Sequence, residues 1–418
     1  MIQSIHLAPG ITLRCCQDAR FKQGRLSLLL LRPMCREEAA LNALLPAVLL
    51  RGSKNSPDLR HITLRLDDLY GAAVGTQVRR IGDYQATGLT CSFIEDRFAL
   101  PGDEVLAPMA DFLRELLLEP VLENGIFRKD YVESEKKNLI AAIAAQKNDK
   151  RMYAGNRLLT HMCGSDSYGI PRLGDIPEVE AITAESLFAH YQNILKASPV
   201  ELFYVGSWGA EQVAELLKPL CICESPIILP PQTVLQPASP GEFREQMDIT
   251  QGRLCLGFTT PITCRDSRFA AMQVLNTVFG AGMTSKLFMQ VREKLSLCYD
   301  IGSSYYGTKG VITVAAGIEF SQKELAQAQI IAQLDACRKG DITEEELVSA
   351  KQGIITQLQA THDAPGSIES YYSVAALNGL AMTPDEYIWA TEQVSLQDVM
   401  TVAETVKLHT VYFLEGEV

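Results

Sequence analysis

With 418 residues, the chain is too long for one hydrophobic core, because single cores stop growing near ~250–300 residues and longer chains divide. Apolar residues at 47% against 21% charged exclude wholesale disorder. Thirty-eight Lys and Arg against 50 Asp and Glu leave a net charge of -12, which argues against any role built on neutralising phosphates, so nucleic acid is not an expected partner.

Met1 to Gly10 shows no basic stretch followed by an apolar run, as a secretory leader would. The densest apolar segment, Ala39 to Leu50, is broken by Asn42 and Pro46 and falls short of the ~20 residues of a membrane helix. Eleven cysteines, an odd number without a Cys-x-x-Cys pair, read as reduced thiols. Together these features predict a cytoplasmic protein that makes no use of a membrane.

Arg25-Leu-Ser-Leu-Leu-Leu-Leu-Arg-Pro predicts a buried strand ending at a proline, followed by an apolar helix that Pro46 should kink. Asp103 to Leu118 predicts a helix with Leu106, Met109, Leu113 and Leu117 on one face, an apolar stripe suited to docking on a sheet. Asn124 opens a predicted charged helix, Thr183 opens a short one, and Pro199 to Gly206 reads as an apolar strand. Five prolines in the seventeen residues Ser225 to Gly241 then predict an extended linker.

After the linker the order repeats. Arg253-Leu-Cys-Leu-Gly-Phe-Thr-Thr-Pro matches the strand at Arg25 with an offset of 253 − 25 = 228. A helix with Thr343 and Glu346 spaced as a capping box follows, then a helix opened by Ser395 and a strand from Thr410 to Gly416. Ordered correspondences of this kind indicate a duplicated α+β unit: a first domain over 1–224, a linker over 225–241 and a second domain over 242–418. Duplicated units commonly face each other across a cleft, the default place for a ligand.

Two segments carry a family resemblance. Phe279-Gly-Ala-Gly-Met-Thr-Ser-Lys-Leu-Phe-Met-Gln-Val-Arg-Glu-Lys-Leu-Ser-Leu-Cys-Tyr299 closely resembles the second domain of the pitrilysin/insulinase-like (M16) zinc metallopeptidases. Asn42-Ala-Leu-Leu-Pro-Ala-Val-Leu-Leu-Arg-Gly-Ser-Lys sits where that family carries its inverted zinc motif, His-x-x-Glu-His. The resemblance, duplicated halves included, spans nearly the whole chain. It implies two homologous M16-type (LuxS/MPP-like metallohydrolase) domains, each a mainly antiparallel sheet covered by helices, forming half of a clamshell. The Leu66 to Ala72 stretch is also similar to a branch of non-catalytic bacterial members associated with elongation-factor-P modification.

Carried over residue by residue, the resemblance puts Asn42 and Pro46 in place of the zinc-binding histidines and Leu45 in place of the base. Counting seven residues from the supporting Glu135 puts Ala142 in place of the distal zinc ligand. No metal site and no intrinsic catalytic residue are therefore expected, and zinc is expected in a partner subunit. The second half keeps the family's other feature: Arg292 and Tyr299, 299 − 292 = 7 residues apart, with Gly280, Gly282, Ser285 and Leu287 in register. A guanidinium and a phenol can stabilise a substrate carbonyl, so the resemblance implies substrate binding by Arg292, Tyr299, Gly280 and Gly282.

These residues fit a non-catalytic, substrate-positioning subunit of a heterodimeric zinc endopeptidase, acting on peptides or small proteins beside an M16 homologue with an intact His-x-x-Glu-His motif. The alternative is a peptide-binding or scaffold homodimer without proteolysis. Serine or cysteine hydrolysis has no nucleophile elbow behind it. Asp67 and Asp68, adjacent on a helix and pointing in different directions, read as surface.

Overall fold

The computed structural model describes residues 2–221 and 223–416. The first half contributes strands β1 (Ile2–Ala8), β2 (Ile11–Gln17), β3 (Gln23–Pro33), β4 (Ala73–Ile81) and β5 (Tyr84–Ile94), a two-stranded ribbon of β6 (Leu122–Glu123) and β7 (Ile126–Phe127), and β8 (Val200–Gly206). The second half contributes β9 (Gly241–Met247), β10 (Gly252–Thr259), β11 (Cys298–Tyr306), β12 (Val311–Ile318) and β13 (Lys407–Gly416).

The first sheet runs in the order β1-β2-β8-β3-β5-β4 and the second in the order β11-β12-β10-β13-β9. Read from its other edge, the second sheet repeats the last five strands of the first. The match extends to strand direction: β2 with β8 and β9 with β13 are parallel, and every other neighbouring pair is antiparallel. The α+β duplication read from the sequence is thus present strand by strand.

Each sheet has one face under helices of its own half. Leu26, Leu28 and Leu30, alternate residues of β3, join Leu44 and Leu45 of the helix Arg36–Leu49, Met109 and Leu113 of the helix Leu106–Leu118, and Leu187 and Ile194 of the helix Ala184–Ala197 in one core. In the second half, helices Phe269–Asn276, Lys323–Arg338 and Leu396–Ala403 pack together beside β10. Capping follows the sequence closely. Thr343 and Glu346 exchange backbone and side-chain bonds at 2.8 and 3.1 Å, and Thr183 and Ser395 cap their helices.

By contact the chain forms two compact units, each gathered from three stretches: Met1–Ala144, Ile170–Pro231 and His362–Val374 in one, and Ala145–Gly169, Gln232–Thr361 and Ala375–Val418 in the other. Residues 145–169, on the first-domain side of the linear 1–224/242–418 division, therefore pack with the second unit, and 362–374 with the first. Ser225 to Pro240 carries no regular secondary structure, while Gly241 already opens β9.

Two helix starts move inward. The helix expected from Asp103 begins at Leu106, and the one expected from Asn124 begins at Lys129. Asn124 and Gly125 have φ of 52° and 82°, the left-handed pair of a tight hairpin turn, and join β6 to β7 instead. Among the described residues no helix is long and apolar enough to cross a membrane.

Candidate functional site

The position of the family's zinc motif lies on the helix Arg36–Leu49, which continues through Pro46. Proline has no N–H to give the carbonyl of Asn42 four residues back, and Thr87 on β5 replaces it, its hydroxyl donating to that oxygen at 2.7 Å. The Asn42 side chain is fully buried and held at both ends. Its Nδ2 donates to Gln85 Oε1 at 2.9 Å, and its Oδ1 lies 2.8 Å from His190 Nε2. An amide oxygen only accepts, so the proton is on His190 Nε2. Gln85 Nε2 in turn donates to the carbonyls of Ala39 and Arg172 at 3.0 and 2.8 Å.

Burial holds the His190 imidazole below its usual pKa, partly offset by the Glu38 carboxylate. Burial works against that carboxylate, but its hydrogen bonds and charge pairing with Arg32, at 2.7 and 2.5 Å, hold it below the usual range. Leu45 belongs to the apolar core, Pro46 offers no donor atom, and Ala142 is an exposed methyl on the helix Lys129–Ala145. Glu135 keeps an ion pair with Arg51 at 3.1 Å. These residues do not fit a zinc ion: the one polar side chain at the motif is already committed to a closed hydrogen-bond chain. Among the described residues, no group of three or more His, Cys, Asp or Glu is placed to hold a metal.

In the second unit Arg292 and Tyr299 come to one groove of about 550 Å³, whose wall also includes Glu293, Ser296, Glu319 and Gln322. Three backbone irregularities converge there. Leu287–Lys294 is wound as a π-helix, with Leu295 N bonding Gln290 O five residues back at 3.1 Å. Ser296 has φ of 50°, left-handed for a residue with a β-carbon. Tyr299 is the extra residue of a β-bulge, since Cys298 pairs with Ile318 and Asp300 with the adjacent Gly317. Bulges at sheet edges re-aim a side chain, and Tyr299, on edge strand β11, is 60% exposed.

The pair is braced by residues that sequence spacing did not single out. The Arg292 guanidinium lies 4.6 Å from the Phe288 ring centroid and 3.7 Å from Glu293. The Tyr299 hydroxyl donates to Glu319 Oε1 at 3.1 Å, and this bond raises the phenol's pKa. Phe288 stands one helical turn from Arg292, a readable signal; Glu319 lies twenty residues away and reaches Tyr299 only through the β11–β12 pairing. Burial pushes the neighbouring Cys298 thiol up to about 11, so it is no nucleophile near neutral pH.

The two glycines do not line the groove. Gly280 is buried, and a β-carbon there would stand 2.6 Å from Leu287 Cδ1 and 2.7 Å from Ser303 Oγ. Gly282 closes a π-helical turn, its N–H donating to Thr277 O at 3.1 Å. Both shape the path of the chain into the helix that carries Arg292.

A duplicated α+β fold with an exposed Arg292–Tyr299 pair in one half and neither histidine nor the base at the motif of the other defines a metallopeptidase relative lacking the metal-binding apparatus. The comparisons agree. A family model described as the peptidase M16 inactive domain matches residues 181–354. The chain is 30% identical over 409 residues to the Bacillus subtilis protein named Probable inactive metalloprotease YmfF, covering 97% of this chain and 96% of that one. A conserved protein of Enterococcus faecalis V583 superposes with a TM-score of 0.92 at 29% identity, over 100% of this chain and 99% of its own. A peptidase M16 inactive domain from Pseudomonas fluorescens has the same fold, with a TM-score of 0.82 at 17% identity over 100% and 98% of the two chains. The chain belongs to the M16 peptidase family, as an inactive member without the His-x-x-Glu-His donors.

Proposed function

We propose that this chain is a substrate-positioning subunit of a heterodimeric M16-type endopeptidase acting on peptides or small proteins, the zinc and the base being supplied by a homologous partner with an intact His-x-x-Glu-His motif. The observation that carries the reading is the contrast between the halves. The motif position is sealed by Asn42, Gln85 and His190, whereas Arg292 and Tyr299 stay exposed in a groove and are held there by Phe288 and Glu319.

Arg292 donates to the peptide carbonyl, Tyr299 orients the same residue, and an extended peptide lies as an added strand along a sheet edge. We place this work in the cytoplasm, a reading supported by eleven cysteines that are all free thiols, eight of them buried. The test is Arg292→Ala in the co-expressed complex. Loss of one donor to a developing oxyanion costs roughly 10²–10³ in rate, so peptide cleavage should fall by about that factor with assembly unchanged. An unchanged rate refutes the role. A scaffold homodimer is the second reading; it predicts no stimulation of peptide cleavage by this chain in any mixture with the motif-bearing homologue.

A further inference from the structure

Each sheet is covered on its remaining face by a helix that comes from the opposite half of the sequence, and the charges that seat the two helices are inverted. In the first unit Ile368, on the helix Pro365–Asn378, packs on Cys16, Phe203 and Val205. The next residue, Glu369, is 0% exposed and lies 3.1 Å from Arg79 Nη2 and 3.6 Å from Arg25 Nε, with Ser27 and Ser373 hydroxyls donating to it at 3.3 Å. Here the sheet brings the cations and the arriving helix brings the carboxylate.

In the second unit Ala154 and Leu158, on the helix Lys150–Cys163, pack on Cys255, Tyr412 and Leu414. The approach is close: a β-carbon on Gly257 of β10 would stand 2.6 Å from Met162 Sδ. Glu245 on β9 accepts from Arg157 Nε at 2.9 Å, Tyr153 OH at 2.5 Å and Tyr412 OH at 2.8 Å. Arg253, the counterpart of Arg25 in the repeat, is neutralised within the sheet by Asp300 at 2.6 Å, and Arg151 of the arriving helix stands 4.0 Å from the same carboxylate. Here the sheet brings the surplus carboxylate and the helix brings the cations.

We propose that this inversion is a sorting device that directs each helix to the sheet of the other half. The sheets share one strand order, and apolar packing separates the seats at one point, where Met162 lies over Gly257 and the β3 counterpart is Leu29 (257 − 228 = 29); it does not by itself direct the helix that carries Glu369. Charge does. Arg253 and Glu245 both pair with Leu414, as Arg25 and Cys16 both pair with Val205, so on the sheet of its own half Arg157 would meet Cys16 in place of Glu245, and Glu369 would meet Arg253 already neutralised by Asp300. A buried charge left without its partner, as Glu369 would be, is strongly unfavourable, and polar groups of this kind are well suited to selecting one arrangement over another.

The test is a charge-reversal cycle on the full chain, read by hydrogen exchange with mass spectrometry at residues 365–374. E369R should lower protection there at least tenfold while 150–163 keeps wild-type protection. R25E/R79E/E369R should restore protection to within threefold of wild type. The proposal is overturned if E369R keeps wild-type protection, or if the triple variant is no better protected than E369R. Should E369R not fold, E369Q decides: a loss of at least threefold at 365–374 is expected, and wild-type protection there overturns the proposal. A mirror cycle, E245R against E245R/R157E, reads 150–163 in the same way.

Discussion

Replacing Asn42 with leucine removes the central link of the buried chain at the former motif position. Two partners then lose their bonds at once: the His190 Nε2 proton, 2.8 Å away, and Gln85 Oε1, 2.9 Å away, with Asn42 itself fully buried. Orphaning a buried polar group costs about 1–3 kcal/mol, and the added apolar side chain recovers part of this, so a net loss of about 2–4 kcal/mol is expected. For a unit of this size that corresponds to roughly 4–16 °C in Tm. The chain has two tryptophans, Trp208 in the first unit and Trp389 in the second. A Trp389→Phe background therefore lets urea unfolding of the first unit be followed by Trp208 fluorescence. Because His190→Phe removes one of the groups that Asn42→Leu orphans, the double variant should be more stable than the sum of the single changes by about 1 kcal/mol or more. Asn42→Leu within 0.5 kcal/mol of wild type, or strict additivity with His190→Phe, would refute the closed-chain reading.

Two further outcomes follow from buried contacts. Burial disfavours the Glu115 carboxylate, yet Arg65, Ser53 and the Asn55 N–H bond it strongly enough to bring its pKa down to about 2. The folded value lies below the unfolded one, so the carboxylate's stabilisation is present above the usual glutamate pKa and is lost as pH falls toward 2; Glu115→Gln should cost about 1–3 kcal/mol at pH 7 and flatten the acid limb of a stability–pH curve. Gly280→Ala should destabilise the second unit by about 1–3 kcal/mol through overpacking against Leu287 and Ser303, read by Trp389 fluorescence in a Trp208→Phe background.

Much of the site was legible in the sequence because its pieces are local. Arg292 and Tyr299 lie on one helix–turn–strand segment, and their spacing survives in the groove they share. What closes the former motif position was not legible. His190 stands 148 residues from Asn42 and Gln85 stands 43 residues away, and only the packing of helix Ala184–Ala197 and strand β5 around the same point brings them together. The bulge that aims Tyr299 is equally hidden, because it is a property of the register between β11 and β12.

Four of the strands, the caps at Thr183, Thr343 and Ser395, the duplication and the loss of both histidines and the base at the zinc motif could be read along the chain, since alternation, capping and side-chain chemistry act within a few residues. Where local signals competed, as at Asn124-Gly125, the hairpin turn took the position from the helix. Which helix covers the second face of each sheet was settled in three dimensions, because that seating joins residues far apart in the chain, such as Arg79 and Glu369, 290 residues apart, and Gly257 and Met162.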